Sequence, residues 1–368
     1  MVHTLRVGVF MGGRSVEKEA SFNSGRTVCD HLDSTRYNII PIFQRGDGQL
    51  FILPWSFLHR GKISDFEHRL ETQAEKITWD ALPRLIDFMY LATHGQFTED
   101  GILQGFLEIL NIPYLGSGIL TSALCMNKVV QNKMITSHGF NVPQSIVVNP
   151  ETITQLSADS TKNIILNSLL HAHISLPCIV KPQQEGSSLG ITVVHNHDEL
   201  WPALEHACTI QPNKPQAVLV EELLQGMEFS CIILVDYKNN TVLPLAPTEI
   251  IPDSKGFFDY EQKYMPGRAT KFTPARCSQE NIKNIQDVCI KLMHHLEIKT
   301  IARIDGFLMP DNRIYIIDTN TLAGMGPTSF LFRQAAELGM GHTALINHLI
   351  ETELHAYGML PQTINGEV

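Results

Sequence analysis

The pattern of apolar and polar positions predicts strands and helices that alternate along most of the chain. Residues 5–11 form a continuous apolar run of the kind found in buried strands, and a glycine turn over 12–15 follows it. Apolar residues at helical spacing then cover about 16–32, and a second strand is predicted over 37–44. Strand, turn, helix and strand in this order are typical of a parallel α/β sheet, so the fold class is expected to be α/β. The later part of the chain is expected to have α+β character.

Less regular stretches lie between the next elements. Strands are predicted over 85–92 and 112–115, and the glycines after the second strand indicate a domain boundary near residue 119. Residues 47–84 are expected to be less regular, with charged helical stretches and a loop around Trp55. Residues 149–175 are polar and rich in Ser, Thr and Asn, so we expect a surface insertion there.

The second half of the chain alternates between helices, strands and one long loop. A helix is predicted over 120–136, and an amphipathic helix over 280–296. Residues 252–274 are rich in Gly, Lys and Tyr and have no apolar period. A structureless loop of this length inside a compact domain is usually a lid, and its aromatic residues are suited to close over a substrate.

A β-hairpin near the carboxyl end carries the strongest chemical signal. Two apolar runs, 301–309 and 313–317, flank a Pro-Asp-Asn turn. The Gly-rich segment 321–329 follows, and backbone N–H groups in such a segment are able to face an anion. The alternative is a surface hairpin with solvated charges, which the apolar character of both strands disfavours.

The polar residues of this hairpin are predicted to converge on one face. Alternate residues of a strand share a face, which places Arg303 beside Asp305 on the first strand. On the returning strand Ile316, Asp318 and Asn320 share a face by the same rule. Two carboxylates and an amide oxygen form an oxygen-only donor set, which suits Mg²⁺ rather than zinc. Metal, cation and amide-lined loop together indicate phosphoryl chemistry.

Composition and charge limit the classes of function that remain. The 368 residues have room for two or three domains, and a net charge of −10 with a pI near 5.9 argues against nucleic acid as a partner. Seven scattered cysteines without a C-x-x-C pair indicate a reducing compartment and neither a zinc site nor a disulfide framework. No run approaches the ~20 apolar residues of a membrane span, and the N-terminal run is too short for a signal peptide. We therefore expect a cytoplasmic protein that does not insert into membranes.

Several residues are candidates for holding a nucleotide. Lys181 lies within an apolar strand, where burial requires an anionic partner. The loop 185–190 has the small residues of a phosphate cover, although no Walker sequence is present. The strand that ends at 221–224 offers backbone groups to an adenine ring, and Glu228 is able to accept from ribose hydroxyls. A Gly-Ser hairpin with one snorkelling lysine and plain surface acids are the alternatives.

Two further candidates lie near the ends of N-terminal strands. Glu17 is expected in the first turn of the first helix, where it either complements the helix dipole or binds an ammonium group in the cleft. His94 follows the strand over 85–92, at the edge of an open α/β sheet where ligands collect. The glycine turn before Glu17 lacks the spacing of a dinucleotide fingerprint.

Taken in order, these motifs resemble those of the D-alanine–D-alanine ligase family of the ATP-grasp superfamily. The motifs are GGRSVEKEASFNSG, ATHGQFTEDG, LQGFLEILNIPYLGSG, IVKPQQEGSSLGI, DYEQKY and ARIDGF followed by DTNTLAGM. The resemblance implies an ATP-grasp fold of three domains: an N-terminal Rossmann-like domain over 1–119, a central subdomain over 120–220 and a catalytic subdomain over 221–368. The last two are expected to clasp ATP between them.

The resemblance also implies a role for individual residues. Glu17 would hold the ammonium group of the first amino acid through a network with Ser187 and Tyr264, and Arg303 with the Gly324 amide would stabilise the tetrahedral intermediate. The residues implied to bind substrate are His94, Ser329 and Phe330. Those implied to bind ATP are Lys128, Lys181, Glu221, Glu222, Leu223, Leu224, Glu228 and Lys263. Those implied to bind two Mg²⁺ ions, which Mn²⁺ is able to replace, are Asp305, Asp318 and Asn320.

The activity implied is ATP-dependent ligation of two D-alanines through an acyl phosphate, for peptidoglycan precursor synthesis, by a cytoplasmic homodimer. Tyr264 matches the dipeptide-forming ligases and favours D-alanine as the second substrate. Asp318 stands where the family usually has Glu, and Ala323 where it usually has Pro; Asn127 and Phe258 also depart from the usual residues. These departures keep two alternatives open: another second substrate (D-lactate, D-serine or another amino acid) and a non-catalytic nucleotide-binding paralogue.

Overall fold

The part of the chain that the computed structural model describes covers residues 4–59, 61–186, 188–211, 214–252 and 269–359. The strands are β1 (Leu5–Gly12), β2 (Tyr37–Gln44), β3 (Leu50–Ile52), β4 (Glu75–Ile77), β5 (Phe88–Leu91), β6 (Ser145–Val148), β7 (Cys178–Pro182), β8 (Thr192–Val194), β9 (Val218–Glu222), β10 (Met227–Asp236), β11 (Thr241–Pro244), β12 (Thr248–Pro252), β13 (Ala269–Phe272), β14 (Ile301–Leu308) and β15 (Ile314–Asn320).

The helices lie between these strands and after them. They are α1 (Lys18–His31), α2 (Trp55–Leu58), α3 (Leu70–Gln73), α4 (Leu82–Leu85), α5 (Ile102–Ile109), α6 (Ile119–Met126), α7 (Lys128–Ser137), α8 (Pro150–Ile153), α9 (Asp159–His171), α10 (His197–Cys208), α11 (Gln279–His295), α12 (Phe330–Ala336) and α13 (His342–Ala356). Short 3₁₀ turns cover Ile63–Asp65, Glu67–Arg69 and Trp79–Ala81. Within the described ranges, no helix has the length and apolar character needed to cross a membrane.

The described strands form three sheets, which confirms the mixed α/β prediction. The N-terminal sheet has the order β4-β3-β2-β1-β5. Strand β1 is parallel to both β2 and β5, whereas β3 pairs antiparallel with β2 and with β4. The central sheet has the antiparallel order β6-β9-β7-β8. The catalytic sheet has the order β13-β12-β10-β14-β15, with β11 paired to β10. Each of the three names also covers the helices and loops packed on that sheet.

The buried apolar residues of the described ranges form three clusters, and the catalytic sheet contributes to two of them. Phe10, Phe22 and Phe43 belong to the first cluster, which continues beyond the N-terminal sheet to residues of α12 and α13. The second cluster lies between the catalytic sheet and α11 and takes in Cys125 of α6 and Ile135 of α7. The third lies against the central sheet and includes residues of α9 and α10. The domain boundaries at 119 and 220 stay a prediction.

Three local expectations were wrong. Trp55 begins α2 rather than lying in a loop. The rest of 47–84 has short helical stretches as expected, together with the strands β3 and β4, whose three-residue lengths are too short for a periodic signal. Residues 149–175 hold α8 and α9, with Ile165 and Leu169 packed into the third core cluster, and are not a surface insertion. Residues 112–115 form no named strand and pair with β5 through one bridge.

Two other boundaries also differ from the sequence expectation. The helix predicted over 120–136 is broken at Asn127, whose extended backbone (φ −94°, ψ 99°) ends α6 and whose side chain accepts from the Val130 N–H to begin α7. The loop predicted over 252–274 overlaps β12 at Pro252 and includes β13. The remainder of the predicted lid, 253–268, lies outside the described residues.

Glu353 of α13 holds the N-terminal and catalytic sheets together. Its side chain is 3% exposed, and Oε1 accepts from the Gly116 N–H at 2.7 Å and from the Thr300 hydroxyl. Burial raises the pKa of Glu353 to about 7. The carboxyl group therefore keeps its proton in the folded protein at pH values where the unfolded chain has already lost it.

This pKa predicts that stability falls as the pH rises. Between the unfolded pKa near 4.5 and the folded value near 7, the unfolded chain binds fewer protons, so the free energy of unfolding decreases by about 3 kcal/mol across that window. In Glu353→Gln the neutral amide oxygen still accepts both hydrogen bonds, and this part of the pH dependence disappears. Urea unfolding of both proteins at pH 5 and pH 8 measures it. An equal pH slope in the two proteins would contradict the assignment.

Candidate active site

The predicted hairpin exists as β14 and β15, and its register brings the polar residues together as expected. Asp305 lies opposite Asp318, and Arg303 lies opposite Asn320. The prediction that Ile316 shares the face of Asp318 was wrong, because a β-bulge shifts the register after Asp305. Ile316 is fully buried in the core, and Ile317 faces the cavity in its place. Bulges are common beside active sites, where they redirect side chains.

A cavity of about 740 Å³ opens above this hairpin and is lined by residues of all three sheets. Every described candidate from the sequence lines it except Glu17 and Asn320. Glu17 lies against Gly186 and Asn320 lies opposite Arg303, and both of those neighbours line the cavity. The candidates lining it are His94, Lys128, Lys181, Glu221, Glu222, Leu223, Leu224, Glu228, Arg303, Asp305, Asp318, Gly324, Ser329 and Phe330. The candidates Ser187, Lys263 and Tyr264 lie outside the described residues.

Asp305 is fixed by two neighbours at the floor of the cavity. Its Oδ1 accepts from the Ser230 hydroxyl at 2.7 Å, and its Oδ2 lies 3.1 Å from Arg303 Nη2. Asp305 is 9% exposed, so this carboxylate is largely screened from water. Asp318, on the facing strand, is more open and lies 4.0 Å from Lys128 Nζ.

The donor set of the hairpin fits a hard cation that keeps other ligands. In the described ranges there is no cluster of three or more His, Cys, Asp or Glu side chains with the geometry of a closed metal site. The hairpin supplies the carboxylates of Asp305 and Asp318 and the amide oxygen of Asn320. Mg²⁺ typically takes one or two carboxylates and completes its shell with water and substrate phosphates, so these residues fit it.

Lys181 and Glu221 form a buried ion pair under the cavity. Lys181 Nζ lies 2.7 Å from Glu221 Oε2, and the two side chains are 6% and 4% exposed. Asn132 Nδ2 also donates to Glu221 Oε1, at 3.3 Å. The anionic partner that a lysine in an apolar strand requires is therefore Glu221, which is not a surface acid.

Lys128 is held at both ends by the segment that follows β7. Its backbone N–H donates to the Gln183 carbonyl oxygen at 3.1 Å, and its Nζ donates to the Glu185 carbonyl oxygen at 2.7 Å. The side chain is buried and lines the cavity. Lys128 and Lys181 therefore present two ammonium groups to the same space.

The other wall of the cavity follows the end of β9. Sheet pairing of β9 ends at Glu222, so Leu223 and Leu224 continue along the cavity beyond the ladder of the central sheet. Glu222 accepts from the Gln144 N–H at 2.8 Å. Glu228 lines the cavity from β10. Backbone groups next to apolar side chains suit the edge and face of a flat heteroaromatic ring.

Glu17 lies at the N-terminus of α1 and is deeply buried. The expectation that it lies within the first turn was wrong by one residue: α1 begins at Lys18, and Glu17 is the residue that precedes it. Glu17 is 3% exposed, and a Cβ atom on Gly95 or Gly186 would approach its Oε2 to 2.5 or 2.6 Å. A side chain at either position would displace this carboxylate, and the positive φ of Gly95 (+85°) favours glycine there in addition. Burial and the nearby Glu17 charge raise the pKa of Glu99 to about 8.

His94 is a buried neutral histidine that faces the cavity. Burial and the neighbouring Arg303 charge lower the pKa of His94 to about 4. Its Nε2 is 2.8 Å from Ser24 Oγ, and Ser24 Oγ also accepts from the Met325 N–H at 3.2 Å. A serine hydroxyl has one proton to donate and two lone pairs, so this contact links the His94 ring to Ser24 in either tautomer. His94 is thereby tied to the loop 321–329.

The loop 321–329 forms the wall of the cavity next to α12. Gly324 lines the cavity, and a Cβ atom there would meet nothing within 4 Å. Ser329 caps α12, its hydroxyl accepting from the Phe332 N–H at 3.5 Å. Lys271 Nζ lies 4.9 Å from the centre of the Phe330 ring.

Sequence reasoning missed several residues that shape this site. Ser24, Asn23 and Arg26 of α1 line the cavity, and Gln96 donates a buried hydrogen bond to Glu185, which lines the cavity from the predicted phosphate-cover loop. Polar residues spaced along the inward face of the first helix were the available signal for the α1 residues. Gln96 has no chemical signature of its own in the sequence.

Comparison with known proteins gives one consistent result. The family models described as "D-ala D-ala ligase N-terminus" and "D-ala D-ala ligase C-terminus" match residues 6–117 and 134–351. A D-alanine–D-alanine ligase of Syntrophobacter fumaroxidans is 33% identical over 351 residues, covering 95% of this chain and 98% of the relative.

Two solved structures extend this result to three dimensions. The VanG D-Ala:D-Ser ligase of Enterococcus faecalis has a TM-score of 0.79 and 26% identity, covering 95% of this chain and 100% of that one. The D-alanine–D-alanine ligase of Bacillus anthracis, solved in complex with ATP, has a TM-score of 0.68 and 25% identity, covering 96% and 99%. The arrangement of sheets described above is therefore the ATP-grasp fold.

Proposed function

The chain belongs to the D-alanine–D-alanine ligase family, and from that premise we propose how its residues perform the reaction. The protein is an ADP-forming ligase that joins two D-alanines with the hydrolysis of ATP. One observation carries the assignment of the site: a single cavity is lined by Lys128, Lys181 and the carboxylates of the β14–β15 hairpin, and Gly186 in its wall lies against the buried Glu17. These are the charges that an ATP-dependent activation of an amino acid requires.

In the first step, the carboxylate of one D-alanine attacks the γ-phosphorus of ATP, and ADP leaves. Lys128 and Lys181 neutralise phosphate charge, which lowers the repulsion that the attacking carboxylate meets. Glu17 accepts hydrogen bonds from the ammonium group of this D-alanine, and the neutral His94 ring donates a hydrogen bond to the substrate. The neutral state of His94 suits a donor in a site that already holds several cations.

A bound Mg²⁺ would neutralise the phosphate oxygens and hold them in line for transfer. Asp305, Asp318 and Asn320 are the residues that would hold up to two such ions, and Mn²⁺ has a similar preference for oxygen donors. Asp305 also stays bonded to Ser230, which fixes the direction of one carboxylate oxygen.

In the second step, the amine of another D-alanine attacks the acyl carbon, and phosphate leaves with its bridging oxygen. Arg303 Nη2 and the Gly324 N–H donate to the oxygen that becomes negative in the tetrahedral intermediate. Ser329 and the Phe330 N–H hold the carboxylate of this second D-alanine. Exclusion of water protects the acyl phosphate, and the segment carrying Lys263 and Tyr264 is proposed to provide it together with Ser187.

The nucleotide end of the cavity completes the assignment. Leu223 and Leu224 contact the adenine, the backbone of Glu221 and Glu222 continues that wall, and Glu228 accepts from the ribose hydroxyls. These roles agree with the position of all five residues along one side of the cavity. Glu221 has the further role of holding Lys181 in place.

D-Serine is the second candidate for the acceptor. The VanG enzyme that resembles this chain is a D-Ala:D-Ser ligase, and the polar side chains of Asn23 and Arg26 line the cavity here. We expect D-alanine to be preferred. Equimolar D-alanine and D-serine are supplied with Mg-ATP, and the two dipeptides are quantified by mass spectrometry. A larger yield of D-alanyl-D-serine would transfer the assignment to D-serine.

The cellular setting is proposed on the same basis. D-Alanyl-D-alanine supplies peptidoglycan precursor synthesis, which places the enzyme in the cytoplasm. A homodimer is supported by an exposed apolar stripe at helical spacing on α5, formed by Ile102, Phe106 and Ile109, which are 57%, 36% and 81% exposed. Ile119 and Leu120 extend the stripe onto α6. The division into domains 1–119, 120–220 and 221–368 is proposed from the family resemblance, and β9 of the central sheet extends two residues past the second boundary.

A further inference from the structure

A buried glutamine joins the N-terminal sheet to the loop that follows β7. Gln96 is 3% exposed, and its Nε2 donates to the Gln184 carbonyl oxygen at 3.0 Å and to Glu185 Oε1 at 2.9 Å. Lys214 Nζ lies 3.3 Å from Gln96 Oε1. Gln96 follows β5 of the N-terminal sheet, whereas its three partners belong to the central sheet. These hydrogen bonds, which we call the Gln96 latch, therefore cross between two sheets.

On the N-terminal side, the latch lies at the amino-acid end of the cavity. Gln96 comes two residues after His94 and directly after Gly95, which lies against the Glu17 carboxylate. Gly186, the residue after Glu185, lies against the same carboxylate, so close that a Cβ atom there would be 2.6 Å from Glu17 Oε2. The loop that the latch holds is therefore also the loop that closes on Glu17.

On the central side, the latch lies next to the phosphate-binding lysine. The segment 183–185 binds Lys128 at its backbone N–H and at its Nζ, as described above. Gln183 Nε2 also donates to Asn127 Oδ1 at 2.7 Å, which fixes the start of α7. A displacement of residues 183–185 would therefore move the Lys128 ammonium group directly.

We propose that Gln96 is a positioning residue that couples occupation of the amino-acid site to the hold on the nucleotide phosphates. This inference rests on the proposed roles of Glu17 and Lys128. D-Alanine bound at Glu17 orders the N-terminal side of the latch, the latch holds residues 183–185, and that segment directs Lys128 at the phosphates. Since coupling between two binding sites is reciprocal, each ligand strengthens the binding of the other.

Gln96→Met tests the proposal, because methionine has a similar volume and lacks the amide. The dissociation constant of a non-hydrolysable ATP analogue with Mg²⁺ is measured by calorimetry, with and without saturating D-alanine. In the unchanged protein D-alanine is expected to tighten nucleotide binding by about tenfold. In Gln96→Met the effect of D-alanine is expected to fall below about twofold, with nucleotide affinity in its absence unchanged.

Gln216→Met is the matched control. Gln216 Nε2 donates to the same Glu185 Oε1 at 2.9 Å, and Gln216 Oε1 accepts from the Gln184 N–H at 2.8 Å. Both bonds lie within the part of the chain that carries the central sheet, so their loss leaves the hydrogen bonds from Gln96 in place. This variant is expected to keep the effect of D-alanine. Equal loss in both variants would overturn the proposal, because the cause would then be the environment of Glu185.

Two other outcomes would overturn it as well. One is an unchanged effect of D-alanine in Gln96→Met. The other is an equal weakening of nucleotide binding with and without D-alanine, which indicates a structural role alone. Failure of the proposed function has a different signature: the unchanged protein would bind no nucleotide with or without D-alanine. The latch would then have no nucleotide site to act on.

Discussion

Replacement of Arg303 by methionine is expected to lower the rate of dipeptide formation by about a hundred- to a thousandfold while the fold is kept. The guanidinium group lines the cavity beside Asp305 and is proposed to donate to the developing oxyanion, and removal of one such donor has effects of this size. Asp305 keeps its hydrogen bond from Ser230, so the variant does not leave the carboxylate without a partner. The rate is measured from the appearance of D-alanyl-D-alanine under saturating substrates.

Arg313→Met is the matched control for this experiment. Arg313 belongs to the same hairpin, but it lies at the turn, where it pairs with Asp311 at 2.7 Å and its side chain is 60% exposed. This variant is expected to retain the rate of the unchanged protein. An Arg303→Met enzyme as fast as Arg313→Met would contradict the role given to Arg303.

Replacement of Lys181 by methionine is expected to abolish nucleotide binding and also to destabilise the fold. The variant leaves the Glu221 carboxylate buried without its ion-pair partner, and breaking a buried pair in this way typically costs about 3–5 kcal/mol. The free energy of unfolding is measured by urea titration, and nucleotide binding by calorimetry. Lys133→Met, at an exposed position of α7, is expected to change neither quantity.

A double variant separates the two effects of Lys181. In Lys181→Met with Glu221→Gln, the buried charge is removed together with its partner, and Asn132 still donates to the side-chain oxygen at position 221. Most of the lost stability is expected to return, whereas nucleotide binding stays lost. Recovery of nucleotide binding in the double variant would show that the ammonium group of Lys181 does not hold phosphate.

The hairpin shows how far a local pattern reaches. Two apolar runs around a turn predicted the pairing of Asp305 with Asp318, because pairing depends on period and turn chemistry. The bulge could not be predicted, since Ile316 and Ile317 are the same residue and either suits the core. The register of the whole sheet decides which one is buried.

The Lys181 site shows where tertiary contacts become necessary. Burial of a lysine in an apolar strand predicted an anionic partner but did not say which carboxylate it is. The register of β7 with β9 places Ile179 opposite Glu221, so Lys181, two residues along, shares the face of that glutamate. The contacts of Gln96 could not be predicted from the sequence, because its amide finds its partners only when the loop after β7 folds against it.

Composition gave a wrong structural prediction for residues 149–175, whereas the motifs gave a correct prediction of the family. The polar residues of 149–175 concealed a helical spacing of Thr161, Ile165 and Leu169, all buried in α9. The ordered motifs, in contrast, predicted the family that the comparisons confirm. The residues of a motif are set by the substrate that they bind, and they therefore vary less than the residues that pack around them.

The most direct test of the account follows the oxygen atoms of the first D-alanine. Purified protein is incubated with Mg-ATP and D-alanine labelled with ¹⁸O in its carboxylate, and phosphate and dipeptide are analysed by mass spectrometry. An acyl-phosphate route predicts one labelled oxygen in each phosphate released, one in the new peptide carbonyl, and equal amounts of ADP and D-alanyl-D-alanine. Phosphate without label, or ADP without dipeptide, would contradict the reaction proposed for this cavity.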